Sequence, residues 1–162
     1  MAFARVLERP EPQSKRRLRL WLRLYGATSV IEREMRRFLR AGFATTLPRF
    51  DLMAALERAP EGLTMGELSR RLMVSGGNVT SIVAGLERDG LVHRRSPASD
   101  RRTSYVALTE QGRAAFQAMA REHERWIDRL LADVADEDVD ALTDLLAELK
   151  HKAEAKAEAG RA

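Results

Sequence analysis

Two short amphipathic segments with a three-residue break between them restrict the fold of this chain more than any other feature. The segment 64–72 carries apolar residues at helical spacing, and it opens with Thr64 and Glu67 at the spacing of a capping box. The break 73–75 leads into a second helical segment, 76–89. Two short helices joined by so tight a turn predict a helix-turn-helix unit.

The apolar period changes from helical to alternating directly after this unit. Gly90 stands where a left-handed residue ends a helix, and Leu91 follows as its apolar partner. The segments 91–95 and 103–108 then read as two paired strands around a polar, basic tip at 96–102. A basic hairpin after a helix-turn-helix predicts a wing.

Two further helices are predicted before this unit. The first runs from about residue 14 to 40, with Gly42 as its stop. Thr46 as a hydroxyl cap and Pro48 in the first turn open the second. The loose arm 1–13 precedes them.

Two long helices are predicted after the hairpin. Thr109 caps the fifth helix, which extends to about Leu131, and Asp136 caps the sixth. The low-complexity tail from Lys150 is expected to fray. The fold class is therefore mainly α with a small β-wing, a winged helix-turn-helix with six helices in a single domain, 1–162.

The start of the second helix of the unit is crowded with small polar residues, which suit the major groove of DNA. Small side chains let the backbone approach the duplex, and free N–H groups at a helix start can meet a phosphate. The alternative is that Ser75 is only a cap and the glycines only a turn. The predicted DNA-contacting residues of this helix are Ser75, Gly76, Gly77, Asn78, Thr80 and Ser81.

Arginines cluster around the hairpin tip, where they could enter a narrow minor groove. Asp100 would orient one guanidinium by a bidentate bond, and Arg101 is the expected inserted residue. The alternative is a solubilising hairpin with a surface salt bridge. The predicted wing residues are Arg94, Arg95, Ser99, Asp100, Arg101 and Arg102.

Charge and composition indicate which kinds of partner and which compartment the chain is suited to. Residues 1–50 have a net charge of +8, residues 51–110 are neutral, and residues 111–162 have a net charge of −4. Anions are therefore expected on the N-terminal side, although solvated helix faces would give the same skew. The chain has no cysteine, which excludes disulfides and thiol-based sensing. No signal peptide or membrane span is recognised, so the cytoplasm is the expected compartment.

The stretch from Thr45 to Gly112 resembles the MarR family of regulators. The resemblance is carried by LPRFDLMAALERAPEGLTMGELSRRL, MVSGGNVTSIVAGLERDGLVHRR and DRRTSYVALTEQG, the last being similar to the family's wing signature. The segment 96–99 before Asp100 lacks the acidic residue that the family often has before its proline.

The resemblance implies an intertwined homodimer that reads a pseudo-palindromic operator in double-stranded DNA. It implies dimerisation helices at 14–44 and 109–152 around a DNA-binding lobe, 45–108. Long apolar stripes on the first and sixth helices favour the same arrangement, although an intramolecular core would use them too. The expected dimer residues are Leu18, Trp21, Leu142, Leu145 and Leu149.

The resemblance also implies a repressor that a small aromatic effector releases from DNA. Similarity to the subgroup that senses hydroxycinnamoyl-CoA points to an aromatic acid or its CoA thioester; no cofactor or metal is expected. The guanidinium group of arginine can bind a carboxylate or a phosphate through two hydrogen bonds. The alternatives are that the arginines contact DNA phosphates or form a solvated helix face, and that the aromatic residues only pack in the core. The candidate effector residues are Trp21, Tyr25, Arg33, Arg36, Arg37, Arg40 and Phe50.

Other classes of protein fit the sequence less well. His93, His123 and His151 lack metal-ligand spacing, and no phosphate-binding loop, dinucleotide motif or nucleophile elbow is present, which argues against an enzyme. A winged helix used for protein contact has no need of the polar helix start or the basic tip. A membrane-surface protein is disfavoured because the first helix needs its apolar residues for a core or a dimer.

Overall fold

The computed structural model describes residues 12–96 and 104–160 of the chain. Within these ranges it has six helices and three strands, which confirms the predicted mainly α, winged helix-turn-helix fold. The elements are α1 (Gln13–Phe43), α2 (Leu47–Glu57), β1 (Leu63–Thr64), α3 (Met65–Leu72), α4 (Gly76–Arg88), β2 (Val92–Arg95), β3 (Tyr105–Leu108), α5 (Glu110–Leu131) and α6 (Asp136–Ala159).

A small antiparallel sheet carries the wing. Its strand order is β1-β3-β2, and Val92 pairs with Leu108 while Arg95 pairs with Tyr105. The hairpin of β2 and β3 was predicted from its alternating pattern, whereas β1 was missed. Leu63 of β1 pairs with Val106 across 43 positions of sequence, and a two-residue strand has no period to detect.

The chain divides into two compact units, one ending at Phe116 and the other starting at Gln117, so that the division falls within α5. The first unit contains the core of the helix-turn-helix region. Side chains less than 2% exposed fill it, and they come from α1, α2, α3, α4 and β3. They are Leu39, Leu52, Met53, Leu56, Leu68, Val79, Val83, Leu86 and Val106.

The ends of several helices differ from the sequence predictions. α1 continues through Gly42 to Phe43, and Ala44, which caps it, takes the left-handed conformation (φ 48°) expected of a glycine. Thr46 and Ser75 precede α2 and α4 as predicted, but neither side chain makes a capping hydrogen bond. Asp136 is the first residue of α6 rather than its cap, which is Ala135.

The predicted fraying of the tail was wrong, because α6 remains helical to Ala159. Alanines with interleaved Lys and Glu favour a helix, and Lys152 pairs with Glu148 one turn away. No residue of α6 is buried, and the leucines of its apolar stripe are exposed. This helix therefore holds a large apolar surface open to solvent.

Candidate nucleic-acid interface

The turn between α3 and α4 is built by local hydrogen bonds. The capping box at the start of α3 is confirmed: the Glu67 amide donates to Thr64 Oγ1 at 3.2 Å, and the Thr64 amide donates to Glu67 Oε2 at 2.8 Å. Met73 ends α3 in the left-handed conformation (φ 53°), and the Ser69 hydroxyl donates to the Val74 carbonyl at 2.6 Å. These bonds set the direction in which α4 leaves the turn.

One side of α4 is buried and the other is open. Val79, Val83 and Leu86 are 0% exposed. The residues predicted to contact DNA are all exposed and cluster in the first turns of the helix: Ser75, Gly76, Gly77, Asn78, Thr80 and Ser81. The fold therefore gathers these six residues onto one small polar surface.

The two glycines of this surface pack against no other side chain among the residues that the structure describes. A β-carbon added to Gly76 or Gly77 would meet no atom within 4 Å, and neither residue has a positive φ. Glycine weakens a helix relative to alanine. Neither the steric fit nor the backbone conformation of the chain thus accounts for glycine at these positions.

The hydroxyl groups at the start of α4 leave its N-terminus open. Thr80 Oγ1 donates to the Gly76 carbonyl at 2.9 Å, while the Ser75 hydroxyl does not cap the helix. The first N–H groups of a helix have no partner within it and carry the positive end of the helix dipole. Such an end can receive an anionic oxygen.

The junction between α4 and β2 is closely built. The Gly90 amide donates to the Glu87 carbonyl at 3.0 Å and the Leu91 amide to the Leu86 carbonyl at 2.9 Å, which is the left-handed helix end predicted from Gly90. Thr109 Oγ1 donates to the Gly90 carbonyl at 2.7 Å. The same oxygen accepts the Gly112 amide at 2.9 Å, which confirms Thr109 as the cap of α5.

The two arginines at the base of the wing are held by carboxylates. Arg94 Nε lies 3.3 Å from an oxygen of Glu87, and Arg95 Nη2 lies 2.8 Å from Glu61 Oε2 and also donates to the Glu61 carbonyl. These pairs anchor β2 to α4 and to the loop before β1. The other predicted wing residues, Ser99, Asp100, Arg101 and Arg102, lie outside the described residues.

An ion pair that the sequence did not reveal joins α2 to the end of α4. Arg49 Nη2 pairs with Asp89 Oδ2, 40 positions away, and three quarters of the Arg49 side chain is buried. A second pair, Arg113 with Glu57 at 2.6 Å, joins α5 to α2. No periodic pattern encodes partners so far apart in sequence.

The candidate effector residues are distributed along α1 and α2. Trp21 and Tyr25 are 57% and 61% exposed, with ring centroids 5.9 Å apart. Phe50 is instead buried against Phe116, with centroids 5.5 Å apart, so it packs in the core. The exposed arginines, with Ser29 and Glu32, line one shallow depression on α1: Arg33, Arg36, Arg37 and Arg40.

Acidic side chains alternate with these arginines. Arg36 pairs with Glu32, and Arg37 pairs with Glu34 at 3.0 Å. Burial and the nearby Glu32 raise the pKa of Asp51 on α2, while Arg36 lowers it. The guanidinium of Arg36 is therefore partly neutralised by the protein itself.

The described residues were compared with two other kinds of site, a metal centre and a membrane-spanning helix. Within 12–96 and 104–160, no three His, Asp or Glu side chains are grouped so as to hold a metal ion. In the same ranges no helix is long and apolar enough to cross a membrane.

Known proteins resemble the chain in both sequence and fold. The MarR family model matches residues 45–103. BadR, a transcriptional activatory protein of Rhodopseudomonas palustris, is 32% identical over 75% of this chain and 70% of its own length. The HTH-type transcriptional regulator YdgJ of Bacillus subtilis is also 32% identical, over 64% of this chain and 62% of its own length.

Solved structures give the same assignment. The MarR family transcriptional regulator from Silicibacter pomeroyi is 31% identical with a TM-score of 0.73, and the match covers 88% of this chain and 98% of that protein. FabT of Streptococcus pneumoniae, solved in complex with DNA, shares the fold at 23% identity with a TM-score of 0.72, over 85% of this chain and 96% of FabT. The relatives are regulators rather than enzymes, and the chain belongs to the MarR family of winged-helix, DNA-binding transcriptional regulators.

Proposed function

We propose that this regulator is a homodimeric repressor that binds a pseudo-palindromic operator and that a small aromatic effector releases it. The observation that carries the proposal is the glycine pair at the start of α4. Gly76 and Gly77 are exposed, have open space for a β-carbon, and begin a helix whose first N–H groups Ser75 does not cap. A surface that the backbone of a duplex approaches closely accounts for all three properties.

The proposed interface combines this helix start with the wing. Asn78, Thr80 and Ser81 would meet base edges or phosphates, and Arg101, beyond the described residues, would enter the minor groove. Arg94 and Arg95 are paired with carboxylates, so we assign them first to holding the wing in position. Their contact with phosphate would require them to share or leave those partners.

Exposed apolar stripes on α1 and α6 support the dimer. The exposed fractions of Leu18 and Trp21 on α1 are 56% and 57%, and those of Leu142, Leu145 and Leu149 on α6 are 53%, 62% and 43%. Surfaces of this kind on helices indicate an absent partner. We therefore assign 14–44 and 109–152 to dimerisation and 45–108 to DNA binding, within one domain spanning 1–162.

The charges beside these stripes are complementary. Five cations and no carboxylate occupy residues 15–23 of α1, and six carboxylates and no cation occupy residues 136–148 of α6. Opposite charges around an apolar contact favour one pairing over others. This complementarity supports packing of α1 against α6 of the second copy.

The effector is proposed to be an aromatic acid or its CoA thioester. Trp21 and Tyr25 offer an exposed aromatic surface, and the arginine depression from Arg33 to Arg40 offers donors for carboxylate or phosphate. Residues 21 and 36 are about 22 Å apart along a helix. An extended acyl-CoA can touch both, whereas a small acid can touch one.

Since the target of the regulator is chromosomal DNA, we propose a cytoplasmic location.

The test uses the full chain and a duplex that the protein itself selects from a random pool. Fluorescence anisotropy then compares the selected duplex with a scrambled one at several salt concentrations, with and without aromatic acids and their CoA thioesters. We expect binding at least about 1,000-fold tighter to the selected duplex. Equal, weak binding to both would contradict the proposal and favour a winged helix used for protein contact.

A reporter gene behind the selected duplex tests the direction of regulation. Repression predicts lower expression with the protein present and recovery on adding the effector. Expression that rises with the protein would instead agree with activation, the activity that the name of BadR states for that relative.

A further inference from the structure

Arg49 belongs to α2, but its side chain lies at the C-terminal end of α4. Its guanidinium pairs with Asp89, the residue that ends α4, and a β-carbon on Gly85 would lie 3.5 Å from its Nη1. The side chain therefore spans from α2 onto the last turn of α4. It is 25% exposed, whereas its partner Asp89 is 48% exposed.

The charges of this contact stabilise the C-terminal end of α4. A carboxylate at the C-terminal end of a helix is repelled by the negative end of the dipole, and a cation there is attracted. Arg49 supplies that cation and at the same time neutralises Asp89. The pair consequently stabilises the end of α4 at which the helix turns into the wing.

One nitrogen of the Arg49 guanidinium is left without a partner in this contact. Among the described residues, Arg49 Nε is a buried nitrogen without a hydrogen-bond partner. A buried, unbonded donor costs free energy, and its presence in a folded chain needs an explanation. Holding α4 at a given position relative to α2 is such an explanation.

The position that Arg49 holds is the junction between the two proposed DNA-contacting elements. Asp89 is followed by Gly90 and Leu91 and then by β2, and Thr109 bonds the same junction through the Gly90 carbonyl. Any rotation of α4 about this junction changes the distance between its N-terminal surface and the wing. A duplex presents major and minor grooves at a set spacing, so that distance decides which sequence fits.

We infer that Arg49 is a positioning residue that sets the sequence specificity of the regulator through its pair with Asp89, without touching DNA. The inference rests on the proposed function. The inference goes beyond the proposed function by assigning specificity to a residue outside α4 and the wing.

Two single substitutions with opposite effects on charge separate positioning from simple electrostatics. Arg49→Gln lowers the net charge by one and Asp89→Asn raises it by one. A long-range charge effect would weaken binding to every duplex in the first variant and strengthen it in the second. Positioning predicts that both variants lower the ratio of selected to scrambled affinity by about tenfold and leave the salt slope of binding unchanged.

The double variant Arg49→Gln with Asp89→Asn has the wild-type net charge and completes a double-mutant cycle with the two single variants. Partners that act as one unit are not additive, so its loss of specificity should equal that of either single variant. Arg113→Gln is the matched control, because it breaks an ion pair of α2 that does not involve α4. We expect it to retain the wild-type ratio.

Amide hydrogen exchange tests the same inference without DNA. Arg49→Gln and Asp89→Asn should speed exchange of the Gly90 and Leu91 amides and leave the Leu68 amide of α3 unchanged. The inference is overturned if exchange at the junction is unchanged, if the affinity ratio is unchanged, or if Arg49→Gln lowers the salt slope by about one, which indicates a direct phosphate contact. A wild-type protein with no preferred duplex would refute the proposed function instead, and exchange would still decide whether Arg49 positions the junction.

Discussion

A β-carbon placed on Gly112 would stand 1.8 Å from the carbonyl oxygen of Leu91. Gly112 lies in the first turn of α5, and its amide donates to the capping oxygen of Thr109. The start of α5 can pack against the junction of α4 and β2 only because this position has no side chain. The glycine that follows Thr109 by three residues in the wing signature is thus needed for steric reasons.

Replacing Gly112 with Ala should destabilise the folded chain by about 3 kcal/mol or more, since backbone atoms must move to admit the methyl group. Gly66 is the matched control, because a β-carbon there meets nothing within 4 Å. Gly66→Ala should stabilise α3 by up to about 1 kcal/mol. Urea unfolding measures both, and similar midpoints for the two variants would contradict the packing described for Gly112.

Met73 offers a gain in stability, because it is held in the left-handed conformation with its side chain 91% exposed. That conformation costs a residue with a β-carbon roughly 1–2 kcal/mol, and glycine avoids the cost but loses more entropy on folding. Met73→Gly should therefore stabilise the protein by about 0.5–1 kcal/mol in thermal unfolding. Met73→Ala keeps the strain and should show no gain; equal gains in both variants would refute the strain argument.

The sequence was sufficient for the parts of the fold that depend on neighbours in the chain. The capping box of Thr64 and Glu67, the helix end at Gly90 and the cap at Thr109 all formed as predicted, because each needs partners only a few residues away. The strand β1 and the left-handed residue at Ala44 were missed, because one pairs across the fold and the other is not a glycine.

The same division holds for the candidate site. The exposed polar start of α4 could be predicted from residue type and period. The partners of Arg94, Arg95 and Arg49 could not, because they depend on contacts made only when distant segments pack. Apolar periodicity also could not separate Phe50, which is buried, from Trp21, which is exposed.

The dimer should depend on Leu145, which lies on the exposed stripe of α6. Leu145→Glu would place two charges in a two-fold interface and remove burial worth roughly 3–6 kcal/mol per dimer. We expect the dissociation constant to rise at least about 100-fold in sedimentation equilibrium. Ala147→Glu, on the opposite face of α6, should leave it unchanged; a monomeric wild type would refute the dimer.

Release by an effector should depend on the arginine depression of α1. Arg36→Ala with Arg37→Ala should abolish the response to the effector in the anisotropy assay and leave operator affinity within about twofold, because these side chains lie outside the proposed DNA surface. Arg125→Ala breaks a comparable surface pair with Glu122 and controls for that loss. Weakened operator binding with a shallower salt slope would instead assign the arginines to phosphate contact.

The glycine pair of α4 provides the most direct test of the central claim, that the start of this helix meets DNA. Gly76→Ala with Gly77→Ala should raise the free energy of unfolding by about 0.5–1 kcal/mol per site, since both positions are helical and open. Gly66→Ala, at an equally open helical site in α3 that is not among the proposed contact residues, should bring a similar gain and leave DNA affinity unchanged. Measured on the selected duplex, the double variant should bind at least about tenfold more weakly although it is more stable. Unchanged affinity in this more stable variant would contradict the account.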